Sequence, residues 1–324
     1  MVRRRPIRRH PTLAPPAPGC DTALVEPPRL SVVIPAHNAA ATLARAIRSV
    51  QAQQPPPDEI IVVDDASSDA SVAIAQQCGI TPLRLATRQG AAAARNQGVR
   101  AARGAVIGFL DADDEWLPGK LAAQLPLLAE ASFVACDARL FAADGAPLGP
   151  LFGGARPRPG PACWQGLLAH NTIATSCVLV WRAAFDAVGG FDPALPVAED
   201  QDLWLRLARA GRLGYREATL VHMHQTATSL SGVGSARGAR EQLCITLPML
   251  ERHIQAHRDC LSAAQIRRIR AARWLQIGRG ACWTGAWSEG ARLILAAMLR
   301  GHRPLEGLRI LLATAPPLRR LRGG

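Results

Sequence analysis

Residues 109 to 114, FLDADD, place three carboxylates, Asp111, Asp113 and Asp114, directly after a wholly apolar segment. Like charges this close repel one another unless a cation or hydrogen-bond donors neutralise them. Hard divalent ions such as Mg2+ and Mn2+ take carboxylate together with phosphate oxygens, so the cluster suits a metal that holds a diphosphate. The competing reading is a solvated acidic turn ahead of a helix that follows Pro118.

Two further acidic groups end or begin apolar segments. Asp64 and Asp65 close EIIVVDD and lead into Ala66-Ser67-Ser68-Asp69, which by itself reads equally well as a helix N-cap. Glu199-Asp200-Gln201-Asp202 precedes an amphipathic helix, Leu203 to Ala210, where an acidic first turn also favours the helix dipole. Both roles are compatible, with Asp200 pointing into a cleft and Asp202 capping. His222 and His224 alternate along an apparent strand end and face one side.

The elements that must position these groups follow from periodicity. Leu30 to Pro35 is a β-branched run, and Thr42 then precedes Leu43, Ala46, Ile47 and Val50, the spacing of a capped helix that Pro55, Pro56 and Pro57 stop. Glu59 to Asp65 is a continuous apolar run of the kind buried on both faces of a parallel sheet. A helix from Ser71 to Cys78 ends at Gly79, Thr81 to Ala86 is a third strand, Gly90 to Arg103 a helix closed by Gly104, and Ala105 to Leu110 a fourth strand. This alternation predicts an α/β class, Rossmann-like and doubly wound, with a mainly parallel sheet whose ligands bind beyond the carboxyl ends of the strands. From about residue 132 the rhythm changes, with runs at Ser132 to Phe141 and Ala174 to Trp181, which implies a mixed second half. Residues 241 to 315 read as amphipathic helices, a C-terminal helical appendage.

Composition narrows the function classes. The chain has 324 residues and a net charge of +13, but the excess sits at its ends: +4 over residues 1 to 30 and +10 over 251 to 324, with the segment between close to neutral. Such a centre is no polyanion-binding surface, so no nucleic-acid partner is expected. Lys120 is the only lysine, and none of the eight cysteines forms a C-x-x-C pair, so they read as reduced, mostly buried small apolar residues. The longest apolar candidate, Leu293 to Leu299, falls far short of the roughly 18 residues that span a bilayer. The basic start, Arg3 to Arg9, runs into prolines instead of an apolar core and is not read as a secretory signal. The expectation is a cytoplasmic protein, reaching the inner face of the cell membrane as a peripheral one. Trp274, Trp283 and Trp287 among Arg267, Arg268, Arg270, Arg273 and Arg279 suit helices lying in an anionic membrane interface; a bundle packed on the rest of the chain with a solvated Arg face is the alternative.

SVVIPAHNAA, IIVVDDASSD, GAAAARNQGVRAARG and FLDADD, in this order and spacing, resemble the N-terminal half of family-2 glycosyltransferases, and AEDQDLWLRLARAG, residues 198 to 211, resembles that family's second-half signature. The resemblance covers about residues 30 to 230. It implies a GT-A fold spanning 30–235, with a nucleotide-binding half at 30–115 and an acceptor half at 116–235, after a disordered basic Pro-rich arm at 1–29 and before a basic helical region at 236–324. It implies that Asp65 binds the nucleotide base, that Pro35, Ala36, His37 and Asn38 line the base pocket, and that Arg95 and Asn96 face the nucleotide; a solvated helix face is the other reading for Arg95. Asp113 and Asp114 match the family's D-x-D element, Asp114 as direct metal ligand and Asp113 nearer the ribose, and Asp111 can trade roles with either. His224 resembles a histidine near diphosphate and metal, Asp200 matches the catalytic base, and Glu199 with Trp204 falls on the acceptor side. Two positions depart from the pattern: His37 stands where an aromatic usually stacks on the base, and Ala66 where glycine follows the paired acids.

The function implied is inverting transfer of a sugar from a nucleotide diphosphate-sugar to a saccharide or lipid-linked acceptor hydroxyl, with Mg2+ or Mn2+, in bacterial surface polysaccharide or glycoconjugate synthesis. The competitors are a polyprenyl-phosphate sugar transferase, which needs an acceptor-phosphate site, and a catalytically silent nucleotide-sugar-binding scaffold, against which Asp113, Asp114 and Asp200 together speak. A nicotinamide-dependent dehydrogenase is excluded because Pro35-Ala36-His37-Asn38 stands where G-x-G-x-x-G would be required.

Overall fold

The computed structural model describes residues 28–160, 163–225, 242–283 and 286–315. All but two residues of the expected 1–29 arm lie outside them. The described residues fall into two compact units, one of 28–160, 163–164 and 172–225 and the other of 165–171, 242–283 and 286–315.

The first unit is built on one mixed sheet. Its parallel part orders β3 (Leu83–Arg84), β2 (Glu59–Asp64), β1 (Leu30–Ala36) and β4 (Val106–Phe109). The sheet then continues through β8 (Leu179–Trp181), antiparallel to β4, then β6 (Phe133–Phe141), β9 (Leu213–His224) and β5 (Glu115–Trp116), with β7 (Pro147–Pro150) on the other side of β6. Helices α1 (Leu43–Gln51), α2 (Ser71–Gln77) and α3 (Ala91–Ala101) fill the crossovers of the parallel part. β1 is buried along its length apart from Pro35, as a strand covered on both faces must be, and Leu43, Ala46, Ile47 and Val50 of α1 complete the core beneath it. Thr42 precedes α1 as read from the sequence, but its hydroxyl makes no capping bond.

Close approach of α3 to the sheet is a matter of one missing side chain. A Cβ on Gly98 would lie 2.3 Å from Val33 Cγ1, so only glycine lets this helix settle there, and the helix carries Arg95. Among the second-half elements α4 (Lys120–Gln124), α5 (Cys163–Ala169), α6 (Arg182–Ala187) and α7 (Glu199–Ala210), α7 begins four residues earlier than its apolar periodicity indicates. Trp204 anchors it: the indole is fully buried, stacked on Phe133 at 6.2 Å and edge-on to Phe191 at 6.1 Å.

The second unit contains α8 (Leu247–Ala256), α9 (Ala263–Trp283), α10 (Trp287–Met298) and α11 (Pro304–Thr314), around a core of Ala271, Leu275, Cys282, Ile294, Ala297 and Ile310. Arg273, read from the sequence among surface arginines, is buried and donates to the Leu167 and Leu168 carbonyls at 2.8 and 2.6 Å. No described helix is long and apolar enough to cross a membrane.

Candidate active site

Loops leaving the carboxyl ends of β1 and β2 are laced together. Asp65 N–H donates to the Ala36 carbonyl at 2.8 Å, His37 Nδ1 lies 2.8 Å from the Asp65 carbonyl, Asn38 N–H donates to Ser67 Oγ at 3.0 Å, and Ser68 N–H donates to Asn38 Oδ1 at 2.8 Å. Ala66 takes φ +57°, the left-handed region where glycine is at ease, which explains why the departure from glycine at this position is costly for the backbone.

Asp65 is buried, and its two oxygens accept from Gln89 N–H at 2.7 Å and Gly90 N–H at 2.8 Å. The carboxylate thus clamps the entry of α3, and any contact with a base shares atoms already engaged. The Ala36 side chain is sealed in the core beneath the loop, so of the expected base-pocket residues Pro35, His37 and Asn38 reach the surface and Ala36 contributes backbone only. Asn96 does not face outward either: its amide donates to the Phe191 carbonyl at 2.8 Å and its Oδ1 accepts from Phe191 N–H at 3.0 Å, tying α3 to the loop before α7. Asn96 thus holds α3 to that loop with both ends of its amide.

Arg95 is 4% exposed and so not on a solvated face. It donates to Asp111 Oδ1 at 2.6 Å and to Glu199 Oε1 at 2.8 Å, with its guanidinium 5.2 Å from the centre of the Phe191 ring. Burial disfavours its charge, but the two carboxylates outweigh burial and hold its pKa above the ordinary value. This one cation joins the strand-end acids to the acids at the start of α7.

Asp200 stands next to that network at the first turn of α7, its Oδ1 accepting from Gln201 N–H at 2.6 Å. Desolvation and then the neighbouring Glu199 raise its pKa to about 7, against the lowering effects of the Gln201 N–H and Arg95. Ala198, immediately before α7, sits at φ +60°, a strained conformation for a residue with a Cβ. Asp202, in the same acidic first turn, pairs with Arg206 one turn on, at 2.7 Å.

Within the D-x-D element the three acids differ. Asp114 is turned inward and nearly unexposed, accepting from Ser176 Oγ at 2.5 Å and from His224 N–H at 3.3 Å. Burial, followed by the charges of Asp111 and Asp113, pushes its pKa well up. Asp111 and Asp113 are partly exposed, Asp111 with one oxygen held by Arg95, whereas Asp114 is the enclosed acid of the three. His224 arrives beside them because β5 pairs with β9 in the register Glu115 to His222. Its Nε2 is buried without a hydrogen-bond partner, 3.9 Å from Glu115 Oε2, and burial and the nearby Arg45 lower its pKa, which keeps the imidazole neutral and able to ligate.

No group of three or more His, Cys, Asp or Glu side chains among the described residues is arranged to hold a metal alone. What the structure does offer is the orphaned His224 Nε2 next to Asp114, chemistry that suits a divalent ion completed by phosphate oxygens. Trp204 lies in the core and has no surface to offer an acceptor; its contribution is to hold the helix that carries Asp200. Two participants escape sequence reading: Ser176, whose hydroxyl also accepts from Asp111 N–H at 3.1 Å, and Arg45, which donates to the Asp113 carbonyl at 2.5 Å. Neither has a motif around it. Their roles depend on a 3-10 turn at Thr175–Cys177 and on the polar side of α1.

The model of the glycosyl transferase family 2 matches residues 31–177. A Bacillus subtilis (strain 168) protein named as a teichuronic acid biosynthesis glycosyltransferase, TuaG, is 31% identical over 195 residues, 58% of this chain and 75% of that one. An Escherichia coli UDP-Glc:alpha-D-GlcNAc-diphosphoundecaprenol beta-1,3-glucosyltransferase, WfgD, is 35% identical over 102 residues, 31% of this chain and 40% of its own. Among solved structures, the mannosyltransferase PcManGT from Pyrobaculum calidifontis, in complex with GDP-Man and Mn2+, superimposes with a TM-score of 0.58 at 20% identity over 97% of this chain and 86% of that one. Staphylococcus aureus TarS, residues 1–349, does so with a TM-score of 0.52 at 16% identity over 91% and 92%. The fold is thus GT-A, and the chain belongs to glycosyltransferase family 2.

Proposed function

We propose that this glycosyltransferase moves a sugar, with inversion, from a nucleotide diphosphate-sugar to an acceptor hydroxyl in bacterial surface polysaccharide synthesis. The observation that carries the reading is Asp200, a carboxylate raised to about 7 beside the Arg95 network. Single displacement is served best by a base whose pKa lies near the working pH, and the raised carboxyl of Asp200 moves toward that condition. Asp200 accepts the acceptor hydroxyl's proton as that oxygen bonds to the anomeric carbon, and the bond to the donor's diphosphate breaks on the opposite side.

Pro35, His37 and Asn38 offer the surface for the base, while Asp65 fixes the loop behind them. Arg95 keeps Asp111 and Glu199 at fixed distance from Asp200 and contributes no proton. Asp114 and Asp113, with Asp111 and the neutral His224 beside them, would hold a Mg2+ or Mn2+ ion. Such an ion, when bound, neutralises charge on the departing diphosphate. The similar PcManGT was solved with GDP-Man and Mn2+, and WfgD is named for a UDP-sugar donor and a diphosphoundecaprenol-linked acceptor, which supports a nucleotide-sugar donor and a saccharide or lipid-linked acceptor here. A peripheral position on the membrane's inner face fits such an acceptor.

The test is calorimetric titration of the purified protein with a panel of nucleoside diphosphates and nucleotide-sugars, in Mn2+ and in chelator. One nucleotide should bind, and only with metal. Absence of binding across the panel would sink the reading in favour of a silent scaffold.

A further inference from the structure

We infer that the α10–α11 pair is a docking face for the surface of an anionic lipid bilayer. α10 turns Gly290, Ala291, Ile294 and Ala297 inward, and α11 turns Gly307, Ile310 and Thr314 inward. Close contacts lock these faces: a Cβ on Gly278 would lie 2.7 Å from the Gly290 carbonyl oxygen, and one on Gly307 would lie 2.6 Å from Met298 Sδ. The packing of the helices is thereby complete without their remaining leucines.

Those leucines stay outside. Leu295 and Leu299, four residues apart, are 48% and 86% exposed, and Leu305, Leu308 and Leu312, at i, i+3 and i+7, are 74%, 47% and 56% exposed. Five exposed leucines on two neighbouring helices are apolar surface that the packing leaves uncovered, the kind that marks an interaction site. The same two helices and the turn between them also expose Arg292, Arg300, Arg303 and Arg309, and one of the two acids between residues 287 and 315, Glu306, is neutralised by Arg303 at 2.9 Å.

Exposed leucines and arginines together match a bilayer interface carrying anionic headgroups, into which leucine side chains partition while guanidinium groups remain at the phosphates. A second copy of the chain is the poorer occupant, because it would press the same arginines against one another.

Vesicle flotation of the full-length protein tests this without donor or acceptor, so its outcome is independent of the transferase reading. The protein should float with vesicles of phosphatidylcholine mixed with phosphatidylglycerol, bind pure phosphatidylcholine about tenfold less, and lose affinity at high salt. Leu299→Ser with Leu305→Ser and Leu308→Ser should lower partitioning by about tenfold or more with the melting temperature and circular dichroism retained. Should that variant misfold, Arg292→Gln with Arg309→Gln should still reduce the preference for anionic vesicles. Failure of the natural protein to float, or equal flotation of the leucine variant, overturns the inference. So does a dimer in light scattering that the leucine substitutions dissolve, which would make the face a self-association surface.

Discussion

Arg95 donates to Glu199 at 2.8 Å, a contact between residues 104 apart that ties the nucleotide-side helix to the helix carrying Asp200. Because the same guanidinium also holds Asp111, its removal leaves two acids without their cation in a largely buried setting. Arg95→Met should therefore cost about 3–5 kcal/mol of stability, as breaking buried pairs does, visible in denaturant titration. Arg95→Lys restores charge but cannot fork to both acids, and should recover only part of that loss. A stability change within error for Arg95→Met would mean the network carries no weight.

Asp200 gives the reaction its expected pH dependence. Its folded pKa of about 7 means that the carboxyl is mostly protonated in mild acid, so kcat/KM should rise with pH up to about 7 and then level off. The same shift acts oppositely on stability. A carboxyl raised from 3.8 in the unfolded chain favours folding of the protonated form, so its contribution is present at low pH and is lost as pH rises through about 7. Asp200→Asn should accordingly melt higher than the natural protein at pH 8, with the difference vanishing in acid; equal melting curves at both pH values would contradict the assigned shift.

Ser176 is the hydroxyl that steadies Asp114. Ser176→Ala removes the donor that opposes the raised pKa of Asp114, so the Mn2+ concentration giving half-maximal activity should rise by about tenfold, the usual scale for groups behind metal ligands. An unchanged Mn2+ dependence would separate Ser176 from the metal site.

The parallel half was legible because apolar runs and acidic strand ends are local signals: β1, β2, β4 and the positions of Asp65 and Asp111 follow from them, while Asp200 was marked by the acidic start of α7 and the family resemblance. What was not legible depends on tertiary pairing. β5 is two residues long and has no periodicity, yet its pairing with β9 brings His224 to Asp114. Arg95, Asn96 and Trp204 carry chemistry-bearing side chains whose partners, Glu199, Phe191 and Phe133, lie 71 or more residues away, so no spacing rule could tell a ligand contact from a clamp or a core residue. Asp114 is likewise held by Ser176, 62 residues on, a contact that no spacing announces.

Ala66 supplies a backbone test. Holding a Cβ at φ +57° costs about 1–2 kcal/mol, whereas glycine loses about 0.5–1 kcal/mol in unfolded-state entropy. Ala66→Gly should be neutral to mildly stabilising, and Ala66→Val clearly destabilising, in thermal melts. Reversal of that order would contradict the strained loop.

Asp200→Asn is the most direct measurement of the account: donor affinity by calorimetry beside single-turnover transfer, on the same preparation. The account predicts a donor Kd close to that of the natural protein and transfer slowed by about 10²–10⁴-fold, the range lost with a general base. Normal transfer by this variant would contradict the assignment of Asp200 as the base that accepts the acceptor's proton.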